Sequence, residues 1–246
     1  MKARFIDPGG VERGPNDRVI VSAGIGEPYR ESFASTRRHC DYWCSNVWRL
    51  YYPDYPDGCP PQSEKQYAFK IFAIEEAIKA GFRYILWMDS AFQPIAPIDK
   101  LWETIAEKGW YVPPQYAYKL AEFCSDAALE IFGIDRQTAQ GISLVFSGIV
   151  GLDMDNLTAV QLWTGWKDLY ERGAFNGCHR AVMGAESGIW GGAKLQGHVS
   201  SDPTVQGHRH DESALSFLLY AMDLKPMSLG YLTLESESGF IGHLVK

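Results

Sequence analysis

Apolar positions along the chain fall into two regimes, short β-branched runs and longer stretches with the spacing of one helix face. Residues 18–23 (Arg-Val-Ile-Val-Ser-Ala) read as a strand that ends in Gly24-Ile25-Gly26. A helical stretch over about 28–44 follows, carrying Arg30, Arg37, Arg38 and His39, and residues 47–52 read as a second strand. That strand runs into the turn-forming segment Pro53-Asp54-Tyr55-Pro56-Asp57-Gly58. Ser63-Glu64-Lys65-Gln66 reads as a capping box for the next helix. Tyr67, Ile71, Ile74 and Ile78 recur along it at helical spacing, and Gly81 closes it.

Residues 83–88 (Arg-Tyr-Ile-Leu-Trp-Met) form an almost wholly apolar run ending at Asp89-Ser90. A strand apolar on both faces suits the middle of a sheet covered by helices on each side. Strand, helix, strand, helix, strand predicts an α/β fold with a mostly parallel central sheet. Further helices are expected over 97–108 and 122–132, a buried strand over 141–152, and a helix over 155–172 opened by an acidic cap. From 173 to 207 the pattern dissolves into a glycine-rich stretch, and a loop of that length in a compact domain is functional or mobile. His208-Arg209-His210-Asp211-Glu212 leads into a very apolar helix over 213–222, and a last strand is expected over about 227–234.

Composition narrows the classes. The 246 residues are 46% hydrophobic and 22% charged, enough apolar material for a large core, which excludes a disordered chain or a disulfide-stapled mini-protein. A net charge of -7 disfavours nucleic acid and anionic membrane as broad electrostatic partners, leaving only a local basic mouth of Arg209, Arg180 and Lys194. Five cysteines without a Cys-x-x-Cys pair read as reduced thiols of a cytoplasmic protein, not as a zinc ribbon. The start lacks a signal-peptide stretch, and the longest apolar run, 142–152, is broken by Ser143, Ser147 and Gly148, so no membrane span is expected. Eight tryptophans hint at a ring-stacking pocket; Trp87, Trp163 and Trp166 read first as core, and Trp190 in the glycine-rich loop as a sugar or acceptor platform.

Two segments carry candidate chemistry. Asp89 falls one residue past a buried strand, where parallel sheets bind ligands. It reads either as a turn-forming cap before Pro94 or as a carboxylate for a ribose hydroxyl or a metal-bound diphosphate. The cluster 208–212 likewise has two readings. Asp211 is an N-cap with Glu212 in the first helical turn, or the group orients a base, binds a metal or neutralises a phosphate. Glu212 would then accept a proton from an incoming hydroxyl.

These segments resemble nucleotide-sugar glycosyltransferases of GT-A type. Residues 83–90 resemble their strand and Asp-x-Asp segment, and Tyr67-Ala68-Phe69-Lys70 is similar to the lysine-bearing helix that precedes it. Cys124-Ser125-Asp126, Ser147-Gly148 and the run 207–213 resemble a bacterial and viral group of such enzymes, and residues 211–216 resemble the Asp-Gln-Asp segment of family-8-like members. The resemblance covers about 18–246. It implies a Rossmann-type three-layer sandwich, one domain over 1–246 with a nucleotide-sugar half at 18–95 and an acceptor half at 96–246.

Carried over residue by residue, it implies a donor site at Ser22, Ala23, Lys70, Asp89, Ser90 and Arg209. The acceptor would meet Asp126, Ser147, Gly148 and Trp190, and catalysis would fall to Asp211 and Glu212. One departure matters: the second aspartate of Asp-x-Asp is Ala91 here. A Mn²⁺ or Mg²⁺ ion would then rest on Asp89 with a distant ligand such as His243, or no metal is used. Physical need is the same either way, because a leaving diphosphate gathers negative charge that a cation must stabilise.

The expectation is transfer of a sugar from a nucleotide-sugar, a UDP-sugar first, to a hydroxyl of a glycan, lipid-linked glycan, protein or modified DNA base. A non-catalytic nucleotide-sugar or carbohydrate-binding domain and a nucleotidyltransferase stand as alternatives. The absence of a Gly-x-x-x-x-Gly-Lys loop weakens a P-loop version of the latter.

Overall fold

Strands β2 (Arg18–Ala23), β3 (Trp48–Tyr52) and β4 (Tyr84–Met88) lie side by side in parallel, with β2 in the middle. In this computed structural model, residues 4–6, 18–26, 29–44, 46–177, 199–228 and 241–243 are described. The six-stranded sheet runs β1-β3-β2-β4-β9-β6, with β1 (Arg4–Ile6) on one edge and β6 (Trp110–Tyr111) on the other. β9 (Ile149–Asp153) is antiparallel to both β4 and β6, so β2, β3, β4 and β6 share one direction and β1 and β9 oppose it. The α/β class and mostly parallel sheet expected from the sequence are what the chain adopts.

The alternation of side chains along the strands assigns two cores. Val19, Val21, Ile85, Trp87, Val150 and Leu152 point to one face, while Ile20, Leu86, Met88 and Ile149 point to the other. Helix α2 (Ala68–Lys79) and α6 (Leu157–Glu171) supply buried residues to the first core, and α1 (Tyr29–Trp43) and α3 (Asp99–Lys108) to the second. The result is three layers, helices over both faces of a sheet, with α7 (His210–Ala221) packed on α6. The crossover through α1 steps from β2 out to β3, and the one through α2 steps back from β3 past β2 to β4, so the strand order reverses between β2 and β4. A crevice opens beyond their carboxyl ends at such a switch point.

Several element boundaries differ from the pattern. The capping box at residue 63 does not form; residues 61–65 make turns closed on the Pro61 carbonyl, and α2 starts after Tyr67, which is left-handed at φ 55°. The expected strand over 141–152 is two strands, β8 (Ser143–Val145) and β9, separated at 146–148. The expected helix over 122–132 is a 3₁₀ turn followed by α4 (Asp126–Phe132), which Ser125 caps through the Ala128 N–H. Asn156, not an acid, caps α6 by accepting from Thr158 and Ala159. Residues 227–228 are not in a strand, and the rest of the last expected strand lies outside the described residues, as does 178–198 of the glycine-rich loop. β5 (Phe92–Pro94) pairs with β10 (Ile241–His243), and β7 (Pro114–Lys119) pairs with β8. Among the described residues, no helix is long and apolar enough to cross a membrane.

Candidate active site

The crevice holds a cavity of about 260 Å³. Asp89 enters it from the end of β4, and the turn behind it is pinned: the Asp89 N–H donates to the Gly148 carbonyl at 2.8 Å, and Phe92 N–H donates to the Asp89 carbonyl at 2.9 Å. Thr36 of α1 fastens the same turn by donating to the Ser90 and Phe92 carbonyls. One carboxylate oxygen, Oδ1, accepts from the Trp87 indole at 2.6 Å, so the apolar strand supplies a donor to its own terminal acid. The other oxygen, Oδ2, accepts no hydrogen bond from the described residues and lies beside Gly148.

Lys70 sits beneath this carboxylate, fully buried on α2. Its Nζ is 2.6 Å from Asp211 Oδ2, 3.0 Å from the Ser147 carbonyl and 3.3 Å from Asp89 Oδ1. It donates hydrogen bonds to the first two of these oxygens and forms an ion pair with the third. The rings of Trp87, Tyr67 and Trp166 surround it at 5.3, 5.8 and 6.0 Å, an environment favourable to a cation. Burial alone would lower the affinity of Lys70 for its proton, but Asp211 and Asp89 outweigh it and raise its pKa. Lys70 therefore does not line the cavity; it holds the two aspartates in place from behind.

Asp211 and Glu212 occupy the first turn of α7, where the helix N-terminus favours negative charge. Asp211 is not an N-cap; its carboxylate turns to Lys70 and its carbonyl accepts from the Trp166 indole at 3.0 Å. Glu212 lines the cavity at 7% exposure, and its Oε1 has no hydrogen-bond partner among the described residues. Desolvation first, then Asp211 and Asp89, push its carboxyl up to about 8, against the opposing charges of Arg209 and Lys70. The Asp89 carboxyl is also raised, with enclosure as the largest cause, then the opposing Lys70 charge and the Asp211 repulsion. Arg209, just ahead of the helix, lies over the Phe123 ring at 5.1 Å and forms no ion pair among the described residues.

The two histidines have architectural roles. His208 Nδ1 accepts from the Ser125 N–H, so Nε2 carries the proton and donates to the Ala174 carbonyl at 2.9 Å. His210 Nδ1 donates to the Phe175 carbonyl at 2.8 Å. Both bind the entry to α7 onto the chain leaving α6.

Of the residues singled out in the sequence, Ala23, Asp89, Ser90, Ser147, Gly148, Arg209, Asp211 and Glu212 line one cavity. Ser22 does not: strand alternation turns it away from the cavity face, where its buried hydroxyl finds no partner among the described residues. Asp126 does not either; it pairs with Arg136 and accepts from Ser200 Oγ and the Ser201 N–H, tying the returning chain to α4. Trp190 lies outside the described residues. The backbone of His243 is in register with Phe92, three residues past Asp89. Sequence reasoning missed Tyr29, Tyr55, Gln62, Tyr67 and Phe146, which line the cavity; Tyr55 comes from the segment 53–58 read only as a turn, and Gln62 stands just ahead of the expected capping box.

A divalent cation fits this donor set in one limited way. Among the described residues no three His, Cys, Asp or Glu side chains gather as a metal site, and position 91 contributes only a methyl group. Asp89 Oδ2 remains as one uncommitted hard oxygen beside an excess of carboxylates, and a Mg²⁺ or Mn²⁺ ion would complete its shell with oxygens of a bound phosphate.

No protein-family model matches the chain, and no curated protein is similar in sequence. Among solved structures, the chain is similar to a glycosyltransferase involved in the glycosylation of the major capsid of PBCV-1, at 12% identity and a TM-score of 0.35. That match covers 59% of this chain and 65% of the other, just under two thirds of its length. It is similar to the galactosyltransferase LgtC in complex with donor and acceptor sugar analogs, at 8% identity and 0.45, covering 92% and 86%. Mouse xyloside xylosyltransferase 1 is 10% identical, with a TM-score of 0.43, covering 92% and 97%.

Proposed function

We propose that this chain is a GT-A-like glycosyltransferase that moves a sugar from a nucleotide-sugar, a UDP-sugar first, to a hydroxyl acceptor. The observation that carries the reading is the meeting of Asp89 and Asp211 on one buried ammonium, at a sheet switch point, in a cavity that also holds an uncommitted Glu212. The sequence resemblance to the Asp-x-Asp and lysine-helix segments of such enzymes supports the same reading.

In this reading Asp89 Oδ2 faces the ribose or diphosphate end of the donor, and Arg209 contacts the phosphates, for which a guanidinium suits bidentate contact. A divalent ion held at Asp89 would neutralise charge on the departing diphosphate. Asp211, locked by Lys70, keeps a fixed orientation toward sugar hydroxyls. As the bond from the anomeric carbon to the phosphate oxygen breaks, its electron pair leaves with the diphosphate. The acceptor oxygen bonds to that carbon and its proton passes to the Glu212 carboxylate, whose raised proton affinity suits a base working near neutrality. Ser147, Gly148 and, from the sequence reading, Trp190 are assigned to the acceptor side.

The test is a thermal-shift panel of UDP- and GDP-sugars with and without Mn²⁺, followed by measurement of nucleoside diphosphate release. At a donor concentration of 100 times Kd, binding adds about 2.7 kcal/mol of stability. No shift with any nucleotide sugar would overturn the proposal. A shift without diphosphate release in the presence of acceptors would favour a binding domain, a reading that Ala91 in place of the second aspartate supports. Pyrophosphate release from a nucleoside triphosphate would instead establish a nucleotidyltransferase.

A further inference from the structure

The cavity wall carries more carboxyl groups than cations, and that lining names a class of sugar. Three carboxyl side chains, Asp89, Asp211 and Glu212, line it, against one lining cation, Arg209. Lys70 adds its charge from behind the wall, where it donates to Ser147 and Asp211 and pairs with Asp89. We propose that the site takes a donor whose sugar is neutral and hydroxyl-bearing, and rejects donors whose sugar carries a carboxylate, such as uronates. This rests on the reading of the cavity as a nucleotide-sugar site.

The hydrogen-bonding inventory points the same way. Glu212 Oε1 accepts no hydrogen bond from the described residues and the Asp211 carboxylate is fixed on the cavity wall, so both can meet sugar hydroxyls. A neutral hexose offers hydroxyl donors to these acceptors. A sugar carboxylate offers no donor at neutral pH and sets a further negative charge beside the Asp89 and Asp211 carboxyl groups in an enclosed space, where charge repulsion is stronger than in water. Arg209 is already assigned to the phosphates, and the described residues hold no second unpaired cation on the cavity wall. The phenol of Tyr67 is raised well above its ordinary range, by burial first and then by the same carboxylates, so it too stays an O–H group on the cavity wall.

The experiment uses matched donor pairs that differ in oxidation at the sugar: UDP-glucose with UDP-glucuronate, and GDP-mannose with GDP-mannuronate. Dissociation constants are measured by calorimetry on the full chain at pH 7.5. The neutral member of the pair that binds is expected to be at least ten-fold tighter, about 1.4 kcal/mol. Asp211→Asn, which keeps shape and removes one carboxylate from the wall, is expected to narrow that ratio, with its melting curve checking the fold. A wild-type ratio near one, or a preference for the uronate, overturns the inference while leaving the donor reading standing. Binding of neither member of either pair removes the donor reading and the inference with it.

Discussion

Tyr67 and His210 open two different helices with the same backbone anomaly, and their rings meet at 5.2 Å. Both residues are left-handed, at φ 55° and 48°, a conformation that costs a non-glycine residue about 1–2 kcal/mol. Tertiary contacts hold them there: the Gln62 side chain accepts the Tyr67 N–H at 2.8 Å, and the Phe175 carbonyl accepts from His210. Lys70 follows Tyr67 by three residues and Asp211 follows His210 by one. The strained starts aim α2 and α7 so that their opposite charges meet, the kind of place where folds retain backbone strain for function.

Replacing the ring separates strain from stacking. Tyr67→Ala and Tyr67→Gly both lose the contact with His210, but only glycine also relieves the left-handed backbone. Tyr67→Gly is expected to be more stable than Tyr67→Ala by about 1 kcal/mol in urea unfolding, the reverse of the order inside a regular helix. If alanine proves the more stable, Tyr67 is not left-handed in solution.

Lys70→Met tests the buried bridge. It leaves Asp211 and Asp89 side by side without their cation, and breaking a buried pair this way costs about 3–5 kcal/mol. Acid should restore part of the loss, because protonating one aspartate removes the repulsion. Denaturation midpoints at pH 7.5 and pH 5 check both points; a variant as stable as the parent at pH 7.5 would show that the bridge does not organise the site.

The sheet and the two chemical segments were legible because burial on both faces leaves a continuous apolar run, and the run at 84–88 delivers Asp89 visibly to a strand end. Asp211 and Glu212 stood out as acids ahead of an apolar helix. What periodicity could not carry was direction and handedness. β9 looks as apolar as a parallel core strand yet runs against β4, since its entry at 146–148 must return to the Asp89 turn. The start of α2 was misplaced because Ser63 and Gln66 have the residue types of a capping box, while the contact that fixes the helix start comes from Gln62. Lys70 has nothing in its neighbourhood of sequence to show that its partners lie 19 and 141 residues away.

Gly148 stands against Asp89 with no room for a side chain. A Cβ there would come within 2.3 Å of the Phe146 ring and 3.0 Å of Asp89 Oδ2. Gly148→Ala must displace Phe146 from its packing on Phe92 or shift the carboxylate that faces the donor. Overpacking of this kind costs about 1–3 kcal/mol. The expected signature is that loss together with at least ten-fold weaker donor binding by calorimetry; unchanged affinity would mean that Asp89 Oδ2 does not meet the donor.

Glu212 makes stability and turnover run in opposite directions with pH. Its folded carboxyl, pushed up to about 8, binds its proton more tightly than the unfolded one, whose ordinary value is 4.5. Between pH 4.5 and about 8 the native state therefore holds more of this proton than the unfolded state, and stability from this group falls as pH rises, by at most about 1.4 kcal/mol per pH unit. Below and above that window the group contributes no slope. A base must be deprotonated to act, so kcat/KM is expected to climb across pH 6–8 and level off beyond. Glu212→Gln removes the titration: its stability should fall less steeply than the parent's from pH 5 to 7.5, and its turnover should collapse without a pH-dependent rise. Identical stability slopes in parent and variant would place the Glu212 carboxyl in solvent, and wild-type turnover in the variant would remove it as the base.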